Sequence, residues 1–431
     1  MSAEFAARRQ KVLAQLSDAC LVIGAAPVAL RNNDIEHEYR QDSDFYYLTG
    51  FDEPQSVLVL RQTEPRFVLF VRPKDPEREV WDGYRAGVEG AVKQHGADEA
   101  YPIAELATRL PDLLENHSRL VTPFGRDAEL DARVTDALAA LRKRVKQRKW
   151  WPTELVDPAG LLHRMRLHKS PAELELMRKA ARISADAHLA AMKHTRPGGW
   201  EYEVEALLRS QFRKAGAERL AYECIVGSGP NATVLHYRKN DRQMGDGELL
   251  LIDAGCEFGY YASDITRTFP VNGRFSAPQQ ELYEVVLAAQ LASIDAARVG
   301  NTLDAVHQAS VKVLTQGMVD AGLIAGPVDE AIETERFKKY YMHRTSHYLG
   351  MDVHDVGDYY VRGEPNPLTA SEVITVEPGL YVSEADADAP ERFRGIGIRI
   401  EDDVVITSEG PEVISAGAPK SVDEVQRACQ G

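Results

Sequence analysis

"ELLLIDAGCEFGYYASDITRTF", residues 248–269, joins two apolar, β-branched runs, each carrying an aspartate near the connection between them. "LLLID" is a continuous apolar run ending in Asp253, and "SDITRTF" carries Asp264 near its start. Runs of this kind read as buried strands. Gly259 lies at the centre of the connection, and a two-residue turn on Phe258-Gly259 predicts the pairing 257/260, 256/261 and, further out, 253/264. Asp253 and Asp264 would then face each other on one side of the hairpin. Like charges so placed in an apolar hairpin destabilise it unless a cation lies between them. A turn-capping or solvent-facing role suits a lone aspartate better than it suits this pair.

Two more acids occupy similar surroundings. Glu377 interrupts "EVITVEPGLYV" and Glu401 interrupts "GIRIEDDVVIT", each flanked by β-branched apolar residues. Burying four carboxylates unpaired costs several kcal/mol each, and two divalent cations would neutralise them. "HRTSHYLGMDVHDVG", 343–357, supplies three of the twelve histidines. His343 and His347 have the i, i+4 spacing of a zincin helix, but Arg344 stands where the zincin glutamate would be. The stretch reads instead as irregular backbone running into a strand. It does not itself decide which histidine joins the acids. One imidazole among hard oxygen donors suits Mn²⁺ or Co²⁺, and Zn²⁺ also fits. Two such metals sharing a water make a hydrolytic site.

The rest of the chain narrows the setting. Its 431 residues exceed one ordinary core, and 44% apolar with 27% charged residues is a globular composition. A net charge of −15 argues against nucleic acid or an anionic membrane as partner. The basic run "RKRVKQRK", 142–149, reads as the solvated end of the helix "DARVTDALAALRKR", where cations suit the dipole. Four scattered cysteines form no C-x-x-C pair, which fits a reducing compartment. The N-terminal stretch reads as a charged amphipathic helix rather than a signal peptide, and no run approaches the roughly 18 apolar residues of a membrane span. The expectation is a cytoplasmic protein.

Residues 1–158 alternate helix-like and strand-like runs, including "SVLVLRQ" and "RFVLFVRP" as adjacent strands, and read as an N-terminal α/β domain. "KWWPTELVDP", 149–158, leads into a linker expected over 159–170. The catalytic domain is expected over 171–431. It opens with the capping box "SPAE", in which Ser170 caps, Pro171 suits the first turn and Glu173 reaches back. Further helices are expected from residue 201, over about 277–298 and over about 302–321. "VGSGPN", 226–231, lacks both the Lys-Ser/Thr of a phosphate loop and the G-x-S-x-G of a nucleophile elbow.

"ELLLIDAG…SDITRTFPVNG", "HRTSHYLGMDVHDVG", "VEPGLY" and "IRIEDD" resemble, in order, the signatures of the aminopeptidase P and prolidase group. "RQDSDFYYLTGFDEP", 40–54, and "IVGSGPNATVLHY", 225–237, narrow the resemblance to aminopeptidase P, over nearly the whole chain. It implies a creatinase-like N-terminal α/β domain followed by a pita-bread (α+β) metallopeptidase domain. It also implies a metal-dependent exopeptidase that releases the N-terminal residue from small peptides with proline second, through a hydroxide bridging two metals. Asp253 would hold one metal, Asp264 and Glu401 both, and His347 and Glu377 the other. Glu377 would also move the proton, with His354 and His236 facing the scissile carbonyl and leaving nitrogen. His343, Tyr381 and Arg399 would line the proline pocket, and Tyr222 would support the ligands. Trp81 would reach a neighbouring subunit's site in a homodimer or homotetramer. From the residues alone, Trp81 in "REVWDGYRAG" sits among polar residues in a segment without strand or helix period, as either a core or an interface anchor.

Arg344 replaces the usual glycine and Tyr348 a common tryptophan, both beside a ligand position rather than at one. A metal-free creatinase-like enzyme, or a binding module without catalysis, would not need all four acids. The nearer alternative is prolidase, which cleaves Xaa-Pro dipeptides only.

Overall fold

The computed structural model describes residues 2–430, and the chain divides after Met165 into two compact units. In the first unit a six-stranded sheet runs in the order Glu99–Pro102, Phe67–Val71, Val57–Arg61, Ala19–Gly24, Arg119–Val121, Glu154–Val156. The two strands expected to be adjacent form an antiparallel pair, Ala19–Gly24 joins Val57–Arg61 antiparallel, and the outer strands add in parallel. Val59, Val68 and Phe70 pack on Leu110, Leu114, Val134 and Leu141 from two helices. The alternate residues Leu58, Leu60 and Leu69 are buried too, so both faces of the sheet are covered. The segment around Trp81 departs from its sequence reading. It is a short helix, Pro76–Asp82, because the Asp75 carboxylate accepts from the Glu77 and Arg78 N–H groups and Pro76 suits the first turn.

Residues 159–167, within the stretch read as a linker, form a helix. The second unit opens on the helix Pro171–His194, and both halves of the Ser170–Glu173 capping box are made. It pairs with the helix Glu201–Lys214, and a second pair, Ala277–Ala296 and Leu303–Asp320, packs side by side. The strands form small antiparallel sheets: Ile225–Ser228 with Leu249–Asp253 and Thr266–Pro270, and Val373–Val376 with Asp402–Thr407 and Gly410–Val413. Gly379–Val382 pairs with Ile396–Arg399. The helices bury Ile183, Ala187, Leu208, Leu282 and Leu314 against Leu250, Ile252, Phe269 and Ile398. Residues 343–357 stay irregular, bridged to the neighbouring strand at Tyr348–Ile374. Among the described residues, no helix is long and apolar enough to cross a membrane.

The hairpin at 249–270 differs from its expected register. The turn is Gly259-Tyr260, with Phe258 opposite Tyr261, so Asp253 lies opposite Thr266. Both turn residues have positive φ, 58° and 71°, as the tight turn that matches strand twist requires. Asp264 is therefore two positions along from Thr266. It lies outside both strands and is not the direct partner of Asp253.

Candidate active site

Each of the four acids sits at a break between strands. Asp253 ends the strand Leu249–Asp253, and Asp264 lies between Tyr261–Ala262 and Thr266–Pro270. Glu377 and Glu401 fall in the gaps after Val373–Val376 and Ile396–Arg399. The runs that read as single strands are thus pairs of strands that change sheets at the acid. At a break the side chain is released from the alternation that would bury it in one sheet face. Gly255 makes one break passable: a Cβ there would stand 1.7 Å from the Ser263 carbonyl oxygen.

The breaks bring the acids together. Ligand atoms of Asp264, His347 and Glu401 lie within 4.8 Å of one another. The Tyr222 hydroxyl sits between Asp253 Oδ1, at 2.6 Å, and Asp264 Oδ1. His347 Nε2 faces Asp264 Oδ2 at 3.4 Å and Glu377 Oε1 at 3.7 Å. Its Nδ1 faces the Tyr348 carbonyl at 3.0 Å, which fixes the proton there and leaves Nε2 for the acids. Thr266 Oγ1 donates to Glu401 Oε2 at 2.6 Å.

Burial pushes Glu377 up to about 8, against the pull of His347 and Arg399. Burial, then the neighbouring Asp264 and Glu377, holds Glu401 well above the usual carboxylate range, and burial also raises Asp253. For His347 burial opposes the charge, but Asp264 and Glu377 outweigh it and raise the ring to about 9. Of the four acids, Asp264 alone is pulled down, against its burial, chiefly by the His347 hydrogen bond and charge. Three crowded carboxyls pushed towards protonation, beside it and an imidazole nitrogen, are a donor set that a divalent cation fits.

A second chain of contacts adjoins the acids. Arg399, buried, donates to Asp253 Oδ2 at 2.6 Å, to Thr266 Oγ1 at 3.1 Å and to the Tyr381 hydroxyl at 3.1 Å. The Tyr381 hydroxyl lies 2.9 Å from His343 Nε2, and His343 Nδ1 lies 2.8 Å from the Arg344 carbonyl. Burial, then Arg399, pushes His343 down to about 3, so it is neutral at pH 7 and accepts from Tyr381. His354 is exposed, its ring 4.4 Å from that of His347 and nearly perpendicular to it. His236 is also exposed. Trp81 belongs to the first unit and is 84% exposed. Arg344 is engaged by Asp304, and Tyr348 is buried edge-on against Tyr359.

Three supporting side chains escaped the sequence reading. Thr266 joins Glu401 to Arg399. The buried Asp403 carboxylate accepts the Asp264 N–H at 3.1 Å. Thr345 offers its carbonyl to the Glu377 N–H at 2.8 Å and its hydroxyl to Ser310, Tyr341 and His307. Nothing marks Thr266 inside a β-branched run or Thr345 among the polar residues before His347, and Asp403 is indistinguishable in sequence from Asp402 beside it.

Residues 175–408 match the model of metallopeptidase family M24, and residues 5–122 match that of the aminopeptidase P N-terminal domain. The chain is 43% identical over 426 residues to the Xaa-Pro aminopeptidase of Haemophilus influenzae, covering 98% of this chain and 96% of that one. It superposes on the structure of Pseudomonas aeruginosa aminopeptidase PepP with a TM-score of 0.98 at 48% identity, over 100% and 98% of the two chains. Zinc-substituted Escherichia coli aminopeptidase P in complex with product matches with a TM-score of 0.96 at 42% identity, again over 100% and 98%. With its α/β N-terminal domain and the pita-bread fold of its second unit, the chain belongs to the aminopeptidase P group of metallopeptidase family M24.

Proposed function

We propose that the chain is an Xaa-Pro aminopeptidase, releasing the residue that precedes a proline in second position. The observation that carries this reading is the cluster of Asp264, His347 and Glu401 in a chain similar over nearly its full length to Xaa-Pro aminopeptidases. Asp253, Asp264, His347, Glu377 and Glu401 would hold two divalent cations, with Mn²⁺ the best match to four carboxylates and one imidazole. Such cations, when bound, lower the pKa of water and polarise a carbonyl oxygen. The domain reading that goes with this is an α/β domain over 1–158, a connection over 159–170 and a catalytic domain over 171–431.

The side chains divide the remaining work. Glu377 accepts a proton from the attacking water and delivers it to the proline nitrogen. That delivery matters because the nitrogen of an Xaa–Pro bond bears no hydrogen and leaves poorly until protonated. His354 or His236 donates to the carbonyl oxygen as negative charge develops on it, the pair facing the scissile carbonyl and the leaving nitrogen. Neutral His343, Tyr381 and Arg399, locked by their mutual hydrogen bonds, form a wall for the proline ring. Tyr222 fixes the orientation of Asp253 and Asp264. Trp81, with its ring in solvent, suits an anchor that reaches a second copy of the chain, as a homodimer or homotetramer.

A peptide panel tests this. The chain should cut Xaa-Pro-Xaa tripeptides at the Xaa–Pro bond and leave Xaa-Ala-Xaa intact. Trp81→Ala should weaken use of tripeptides more than of dipeptides, because a neighbour's wall touches the substrate beyond the scissile bond. Cleavage of Xaa-Pro dipeptides alone would point to prolidase. A monomer by sedimentation with full tripeptide activity would remove the role given to Trp81.

A further inference from the structure

Glu201 begins the helix Glu201–Lys214, and its side chain is fully buried. Five donors converge on its carboxylate. Oε1 accepts from the Ser228 N–H at 2.7 Å, the Ser228 hydroxyl at 2.7 Å and the Asn231 amide at 3.2 Å. Oε2 accepts from the Tyr237 hydroxyl at 2.8 Å and the Arg242 N–H at 3.0 Å. The Glu201 N–H in turn donates to the Arg242 carbonyl at 3.1 Å. All five donors belong to one segment, 228–242, and they lie at its start, along it and at its end.

That segment carries His236. Its neighbours Leu235 and Tyr237 pack on the small cluster formed by Ile225, Ala232, Leu251 and Tyr381. The His236 ring is exposed, and its segment adjoins the site through Tyr381, whose hydroxyl contacts His343 and Arg399. With its ring in solvent, the position of His236 is set by the backbone of its segment. Glu201 fixes that backbone on both sides of it. A buried carboxylate is a costly way to tie a loop, and the cost is offset here only because every donor is satisfied by it.

We propose that Glu201 is a positioning residue for the reaction, acting through His236 by holding the 228–242 segment in register with the site. This rests on the reading of His236 as a donor to the reacting groups. Glu201→Gln keeps the volume but turns one acceptor oxygen into an NH₂. Either end of that amide meets a backbone N–H, of Ser228 or of Arg242, that cannot turn away. The segment must shift, and His236 with it.

The test is a double-mutant cycle on the metal-loaded full chain, with an Xaa-Pro-Xaa tripeptide as substrate. Glu201→Gln should lower kcat by roughly ten- to a hundredfold, the scale of a misplacement of about 1 Å, with bound metal unchanged. In a His236→Ala background the same substitution should change kcat by less than about twofold, since the group it positions is already gone. Tyr237→Phe, which removes one donor to Glu201 together with the hydroxyl's contacts to Asp241, should show the same non-additivity at smaller size, and it keeps the cycle closed if Glu201→Gln does not fold. Equal falls in both backgrounds would overturn the proposal, leaving Glu201 a support of the fold alone. An unchanged kcat in Glu201→Gln would overturn it as well. If His236→Ala by itself left kcat unchanged, the role of His236 would fail first and that of Glu201 with it.

Discussion

Asp264 and His354 both touch His347, yet they differ in what their loss removes. Asp264 is buried, shares Tyr222 with Asp253 and faces the His347 nitrogen, so it has no solvent to fall back on. His354 is exposed and meets His347 through ring contact. Asp264→Ala should therefore lose bound metal together with activity. His354→Ala should keep its metal and lose kcat by about 10²–10³-fold, the scale of a missing donor to a developing oxyanion. Elemental analysis of the two purified variants beside their kcat values separates these outcomes, and metal loss in His354→Ala or full occupancy in Asp264→Ala would reverse the roles. The four acids were legible in the sequence because each interrupts an apolar run, where a solvated carboxylate has no place. His354, His236 and Tyr222 carry no such mark, and only the resemblance to a family singled them out.

At the scale of elements, the site depends on strands that stop at the acids. The hairpin bearing Asp253 and Asp264 was legible in kind, and the two carboxylates do approach each other, sharing the Tyr222 hydroxyl. The hairpin's register was not legible. Gly259 marks one turn residue but does not say whether its positive-φ companion precedes or follows it, and Tyr260 takes that role at φ 71°. The breaks were legible in part: the apolar run ends at Asp253 and Pro378-Gly379 follows Glu377, whereas β-branched residues flank Asp264 and Glu401 closely and hide the change of pairing partners there. Gly255 is the tightest point of this construction. Gly255→Ala would force its Cβ against the Ser263 carbonyl, displacing the residue before Asp264. We expect it to destabilise the chain by about 1–3 kcal/mol, the usual cost of overpacking, and to lower metal occupancy. Denaturant unfolding checks the first and metal analysis the second; a variant matching the parent in both would show that the backbone at this break has room to move.

For the molecule as a whole, length and alternating patterns announced more than one unit, and the chain divides after Met165. The helix Ala159–Leu167 was not foreseen, because the two prolines of "KWWPTELVDP" dominate the local signal. The capping box at Ser170 was legible in full, since both of its bonds are local. What local patterns cannot encode is convergence: Asp253, Asp264, His347, Glu377 and Glu401 span 253–401, and only the completed fold sets them side by side. The activity of the whole chain should depend on that convergence being filled by metal. The most direct measurement is hydrolysis of an Xaa-Pro-Xaa tripeptide by protein stripped with a chelator, verified metal-free by elemental analysis, and then supplied with Mn²⁺. Activity should vanish on stripping and return with Mn²⁺, with cleavage only at the Xaa–Pro bond. Full activity in the verified metal-free protein would contradict it.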